Sequence, residues 1–263
     1  MIKDDPSNCY LAKPSPWFEC QKPRPKARLR LFCFPYAGGG AIVFRSWQRY
    51  LPDWIEVYGV QLPGRGRRLH EQPYTCLNHL VEAAAESLLS FLDRPFALFG
   101  HSLGAIIVFE LARRLQTCNF EPEYLFVSGR RAPHLVREKQ VTYNLSGAEF
   151  LSELRRLKGT PEEVLSDPET MNLLLPMLRA DFGIVQNYSY TPGPMLNCPI
   201  RAFGGLEDDS ATPEQLTPWR EHTTNHFALT MGCGDHFSVL ISPSQILETI
   251  AHNLSESLLN LVH

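Results

Sequence analysis

The sequence predicts an α/β architecture: a mostly parallel central sheet, helices on both faces and a helical insertion. Three observations lead there. From residue 29 onward, short apolar runs alternate with longer helical patterns, the signature of βαβ units. Apolar residues dominate these runs, as expected of strands buried on both faces. Between about residues 133 and 193 the rhythm breaks, and two amphipathic helical patterns stand between strands.

In chain order, LRLFCF (29–34) reads as the first strand and VFRSWQRYL (43–51) as a helix. IEVYGVQL (55–62) is the second strand, and LVEAAAESLLSFL (80–92) a helix with one apolar face. FALFG (96–100) is a third strand that runs directly into the helix LGAIIVFELARRL (103–115). YLFVSG (124–129), IRAFGG (200–205) and HFALTM (226–231) supply further strands. A final helix is signalled near Ser242, with Ser242 as N-cap, Pro243 at the first helical position and Gln245 closing a capping box.

In the insertion, AEFLSELRRL (148–157) puts Phe150, Leu151, Leu154 and Leu157 on one face. TMNLLLPMLRADFGIVQNY (170–188) does the same with Met171, Leu174, Leu175, Leu178, Phe182 and Val185, and Pro176 is expected to kink it. An insertion of this size predicts a lid over a functional site. The plainer alternative is a cap that only buries core. The whole chain, 1–263, reads as a single domain. Residues 1–27, with Pro6, Pro14, Pro16, Pro23 and Pro25, read as an irregular arm, and the basic stretch Lys22 to Arg30 as a solvated entry into the first strand.

Composition narrows the function classes. A hydrophobic fraction of 44% and a charged fraction of 20% are those of an ordinary globular protein. A formal net charge of -3 gives no reason to expect nucleic acid as a partner. No apolar run approaches the roughly 20 residues that span a bilayer, and the N-terminus lacks the apolar core of a signal peptide. Seven scattered cysteines without CxxC or Cys/His spacing favour neither disulfides nor zinc. A reduced cytoplasmic setting and no metal are therefore expected.

The sharpest local signal is Gly100-His101-Ser102-Leu103-Gly104, a GxSxG sequence with a strand immediately before it and a helix immediately after. That context is what a nucleophile elbow needs: a serine on a strained turn, with glycines letting strand and helix approach. The predicted architecture is accordingly the α/β-hydrolase fold. A serine hydroxyl needs a base, itself oriented by a carboxylate, and in this fold they follow in the order serine, acid, histidine. Of nine histidines, His236 lies where the histidine loop belongs, between the strand 226–231 and the last helix. His222 and His226 read as structural or solvated, and His101 as a packing residue held facing away by the turn. The acid comes from Glu207-Asp208-Asp209, in the loop after strand 200–205; Asp208 is favoured, Asp209 is the fallback and Glu207 third. One oxyanion donor is the N–H of Leu103, the residue after the nucleophile. The other belongs to Pro35-Tyr36-Ala37-Gly38-Gly39-Gly40, whose glycines permit close backbone approach. That loop lacks the GxGxxG pattern and the Lys-Ser/Thr ending of phosphate-binding loops.

At this point the chain resembles a known family, the type II thioesterases that accompany polyketide and nonribosomal peptide synthetases, relatives of the medium-chain thioesterase of animal fatty acid synthesis. The segments that carry the resemblance are LFCFPYAGGGAIVFRSW (31–47), VQLPGRGRRL (60–69), FALFGHSLGAIIVFELARRL (96–115), LKGTPEEVL (157–165), LLPMLRADF (174–182), YSYTPGP (188–194), FGGLEDD (203–209), PWREHT (218–223) and DHF (235–237). Two departures stand out. Many members carry Glu after PGR where this chain has Gly66, and the acid loop reads EDDSAT where many have Asp-Asp-Pro.

The resemblance implies Ser102 as nucleophile, Asp208 as acid and His236 as base, with Ala37 and Leu103 giving the oxyanion N–H groups. It also implies that the scissile bond is a thioester and that no metal or organic cofactor is used, the substrate being carried on phosphopantetheine. The partners implied are acyl or peptidyl carrier proteins and small acyl thioesters, with the enzyme expected as a monomer. Carrier proteins are generally acidic, so Arg65, Arg67, Arg68, Arg130 and Arg131 are candidate docking cations, with scattered solvated charge as the alternative. Remaining alternatives are a chain-releasing medium-chain thioesterase, an acyltransferase, a general carboxylesterase and a non-catalytic binding protein of the same fold.

Overall fold

Strands placed by their apolar runs assemble into one seven-stranded sheet in the computed structural model, which describes residues 15–135 and 142–260. The strands are β1 (Phe18–Glu19), β2 (Leu29–Phe34), β3 (Ile55–Val60), β4 (Phe96–His101), β5 (Leu125–Ser128), β6 (Ile200–Gly205) and β7 (Phe227–Gly232). Their order is β1-β3-β2-β4-β5-β6-β7. Only β1 runs antiparallel to its neighbour; all other pairs are parallel.

Two faces follow from the period-2 alternation of side chains. Phe32, Phe34, Leu98, Val127 and Ala202 point to one face, where α1 (Leu77–Leu89) and α2 (Leu103–Gln116) bury their apolar stripes. Leu31, Cys33, Phe99, Phe126 and Phe203 point to the other, which α8 (Ser244–Asn260) covers with Leu247, Ile250, Leu254 and Leu258. Strands with both faces buried are why apolar residues dominate these segments of the sequence.

The helix expected at 43–51 is instead two short 3-10 turns, Ala41–Phe44 and Trp47–Arg49. Residues three apart eclipse in that geometry, which places Phe44 and Trp47 together against Phe99 (ring centroids 6.0 and 4.7 Å). The buried Gln48 then bonds the backbone of β3, at Ile55 O (3.0 Å) and Val57 N (2.8 Å). Tertiary bonds thus outweigh a weak local helix preference.

Residues 1–14 of the expected arm lie outside the described residues, as do 136–141 of the lid insertion. From residue 15 the arm is not irregular throughout: Trp17 and Phe18 are buried and β1 caps the edge of β3. Nor is the basic stretch wholly solvated. Arg24 is tied to the carbonyls of Leu51 and Ile55 at 3.0 Å each, and the buried Arg30 donates to Phe91 O at 2.7 Å.

The last helix begins at Ser244 rather than at a capped Ser242. Ser242 instead ends the short α7 (Ser238–Ile241), its N–H bonding Ser238 O at 3.0 Å.

The insertion forms α3 (Gly147–Leu157), α4 (Glu162–Leu165) and α5 (Pro168–Asn187), with the small α6 (Pro213–Leu216) following β6. The turn α4 was not expected, and α5 runs on through Pro176. Phe150, Leu154, Leu165, Met171, Met177 and Leu178 close a small core of their own. Farther along α5, Ile184 and Val185 join the main core, so that helix straddles lid and body. No helix of the described residues is long and apolar enough to cross a membrane.

Candidate active site

Ser102 sits between β4 and α2 with φ 55° and ψ -108°, a left-handed backbone that a non-glycine residue adopts only at a cost of about 1–3 kcal/mol. The neighbourhood enforces it. A Cβ on Gly100 would overlap the carbonyl of Gly104, and one on Gly104 would overlap the carbonyl of Phe34. Only glycines at both positions let α2 start this close to the sheet. The Ser102 N–H is satisfied by Ser128 O at 2.8 Å, so the strained turn wastes no backbone hydrogen bond.

Asp208 and His236 reach the same place from the ends of β6 and β7. Their loops are laced together by Leu206 N–H to Gly232 O and Glu207 N–H to Gly234 O, each 2.9 Å. His236 Nδ1 lies 2.6 Å from Asp208 Oδ2. The other carboxylate oxygen accepts from Ser210, through N–H at 2.9 Å and hydroxyl at 2.6 Å. Asp208 is buried, whereas Glu207 and Asp209 are exposed. Burial pushes the Asp208 carboxyl up, but the hydrogen bonds from His236 and Ser210 and the His236 charge outweigh it and hold it below the ordinary 3.8. An ionised Asp208 accepts the Nδ1 proton, which leaves Nε2 of His236 as the basic nitrogen. The hydrogen bonds of His236 among the described residues all run through Nδ1, so Nε2 is unpaired at the cavity.

The N–H groups of Ala37 and Leu103 donate to nothing among the described residues. Leu103 is the first residue of α2, where a helix leaves its N–H without an internal partner and its dipole favours negative charge. A cavity of about 390 Å³ opens here, lined by Tyr36, Ala37, Ser102, Asp208 and His236 on one side and by lid residues such as Leu154, Leu157 and Phe182 on the other. The apolar face predicted from helical spacing thus borders Ser102. Among the described residues, no group of three or more His, Cys, Asp or Glu side chains is placed to hold a metal ion.

Several placements differ from expectation. His101 is fully buried, as a packing residue should be, yet its ring lies against His236, with centroids 4.8 Å apart, and Nδ1 is 3.0 Å from Ser128 Oγ. Burial, then the His236 charge, drives its pKa well below the ordinary 6.5, against a weaker pull from Asp208. Arg65 and Arg68 are buried and cannot receive a partner protein. Arg67 is exposed and pairs with Glu19 at 3.0 Å. Ser210 was missed, although a serine two residues after an aspartate is a common turn signal.

His222 is also structural, its Nε2 2.8 Å from His134 Nδ1 amid Phe109, Tyr190 and Trp219. Burial, followed by the nearby His134 and Arg113, brings it down to about 4. Both buried histidines are neutral in the fold but protonate below pH 6.5 when unfolded, so the unfolded state binds more protons in that window. Stability should therefore fall as pH drops from about 6.5 towards 4, by up to about 1.4 kcal/mol per pH unit for each histidine. Urea denaturation between pH 7 and pH 5 checks this; a flat midpoint would mean that neither ring is held neutral.

With this geometry in place, four matches to known proteins bear on the chain. The "Thioesterase domain" family model matches residues 29–254. A relative from Aneurinibacillus migulanus, the gramicidin S biosynthesis protein GrsT, is 45% identical over 93% of this chain and 96% of its own length. Among solved structures, the type II thioesterase BorB from the borrelidin biosynthetic cluster is 38% identical with a TM-score of 0.84, covering 90% of this chain and 97% of that one. YbtT, a type II thioesterase from the yersiniabactin NRPS/PKS pathway, is 31% identical with a TM-score of 0.83, covering 92% and 99%.

Proposed function

The chain belongs to the thioesterase family, and on that premise we propose that it is a type II editing thioesterase of polyketide or nonribosomal peptide biosynthesis, hydrolysing acyl thioesters from the phosphopantetheine arm of carrier proteins. The single observation that carries the reading is the cavity that joins Ser102 and the His236–Asp208 pair to Leu154, Leu157, Phe182 and Val185 of the lid. Such a space takes an acyl chain on one side and presents a thioester to a serine on the other.

The mechanism follows from the residues. Ser102 Oγ attacks the thioester carbonyl while His236 Nε2 takes its proton. The negative charge that develops on the carbonyl oxygen is received by the N–H groups of Ala37 and Leu103. Collapse expels the thiolate, which takes the proton from Nε2, and leaves an acyl group on Ser102. Water, deprotonated by Nε2, attacks that ester; the acid departs and the serine hydroxyl is restored. Asp208 stays ionised throughout, fixing the ring and stabilising its protonated form.

Steady-state hydrolysis of an acetyl- or propionyl-loaded carrier protein, against the same acyl group on coenzyme A and on nitrophenol, tests the proposal. A kcat/KM at least tenfold higher on the loaded carrier is expected. Equal or faster hydrolysis of the oxygen ester would discard the carrier-protein reading in favour of a general esterase. Transfer of the acyl group to an added amine or alcohol, in place of free acid, would make it an acyltransferase.

A further inference from the structure

Asp181, on the lid helix α5, is buried at 2% exposure, and both its oxygens are engaged. Oδ1 accepts from Arg65 Nη2 at 2.8 Å and Oδ2 from Arg65 Nη1 at 2.7 Å. Oδ2 also accepts the backbone N–H of Gly38 at 2.8 Å. Arg65 Nη1 reaches back to Gly39 O at 2.9 Å. The pair therefore grips two consecutive residues of the loop that presents the Ala37 N–H.

That loop is a tight turn, Tyr36 to Gly39, closed by Gly39 N–H to Tyr36 O at 2.9 Å. Gly38 has φ +86°, the conformation required at the third position of a type II turn. The type I and type II forms differ by a flip of the middle peptide, here Ala37–Gly38, and glycine tolerates both. A hydrogen bond to the Gly38 N–H selects one form. The lid helix adds a steric stop, since a Cβ on Gly38 would lie 2.7 Å from Leu178 Cδ2. On the far side, Gln61 accepts from Ala41 N at 2.9 Å and donates to Arg65 O at 2.7 Å, closing the clamp.

We propose that Asp181, held by Arg65, is a positioning residue for catalysis: it fixes the turn carrying the Ala37 oxyanion donor and so makes this part of α5 a piece of the catalytic scaffold. The inference rests on the reading above, in which Ala37 N–H receives the oxyanion. A buried ion pair is weak support for stability, because desolvation offsets its attraction. Orientation of the turn is what this one supplies.

Two variants test it on a nitrophenyl ester and an acyl thioester. Asp181→Asn weakens the grip; Arg65→Met with Asp181→Leu removes it without leaving a buried charge unpaired. The expected result is a graded fall in kcat, about 10-fold and then about 100-fold, with KM within about threefold. Affinity for an alkyl boronic acid, which forms the tetrahedral anion on Ser102, should fall in step, while affinity for the free acid product should not. Folded variants with unchanged kcat, or with product affinity lost in parallel, would overturn the inference. If neither variant folds, amide exchange in the wild type decides: Gly38 N–H must be protected like the core strands, and fast exchange sinks the idea. Active wild type with indifferent variants refutes only the positioning role; inactive wild type refutes the thioesterase reading itself.

Discussion

Ser102→Ala is expected to lower kcat on any acyl substrate by about 10⁵- to 10⁶-fold, the scale seen when the nucleophile of a serine triad is removed. The residual rate would come from the free N–H groups of Ala37 and Leu103, which in the proposed mechanism would receive the oxyanion whether the attacking oxygen is serine or water. Stability should barely move. The Ser102 N–H keeps its bond to Ser128 O, and the serine hydroxyl leaves no buried partner unsatisfied among the described residues. Mass spectrometry after mixing with a slow acyl substrate gives the complementary check: an acyl adduct on the wild type and none on the variant. A variant retaining more than about one per cent of activity would show that the chemistry is not routed through this serine.

Asp208→Asn carries the second-largest expected effect, a fall in kcat of about 10⁴-fold. The amide keeps the shape but can donate to His236 Nδ1, which stabilises the tautomer whose Nε2 bears a proton and cannot act as a base. It also withdraws the negative charge that stabilises the protonated ring. Asp209→Asn, in an exposed neighbour, should stay within about twofold. The contrast is diagnostic, because the three carboxylates of Glu207-Asp208-Asp209 are consecutive and only one is within 2.6 Å of the imidazole. Equal losses in the two variants would mean that the loop contributes charge in bulk rather than one oriented acceptor.

Much of the site was legible because its chemistry is local in sequence. The turn around Ser102 needs glycines at fixed offsets, so strand, turn and helix could be read from one pentapeptide and its flanks. His236 was legible by elimination among the histidines and by its place after a strand. The choice within Glu207-Asp208-Asp209 was not, because adjacent residues differ only in which way the chain turns them. That turn is set by Ser210 and by hydrogen bonds from Leu206 and Glu207 to Gly232 and Gly234, residues far along the chain.

The remaining misreadings share that cause. Arg65 and Arg68 look like surface cations in PGRGRR, since a sequence shows charge but not the carboxylate or carbonyl that meets it. Arg65 is neutralised by Asp181, 116 residues away. A sequence signal for Asp181 did exist: an acidic residue three positions after Leu178 and four before Val185, on the apolar stripe of its helix. A charge in that register needs a buried partner.

By itself, then, the sequence determined the α/β architecture, the strand and helix alternation, the serine elbow and the composition of the lid face, because each depends on short-range periodicity or on backbone geometry that only certain residues permit. The tertiary structure alone decided which carboxylate meets the imidazole, which arginines are buried, and how α5 grips the turn beside Ala37. Those outcomes depend on pairs brought together across long stretches of chain, where desolvation makes an unpaired charge costly and folding selects the arrangement that pairs it.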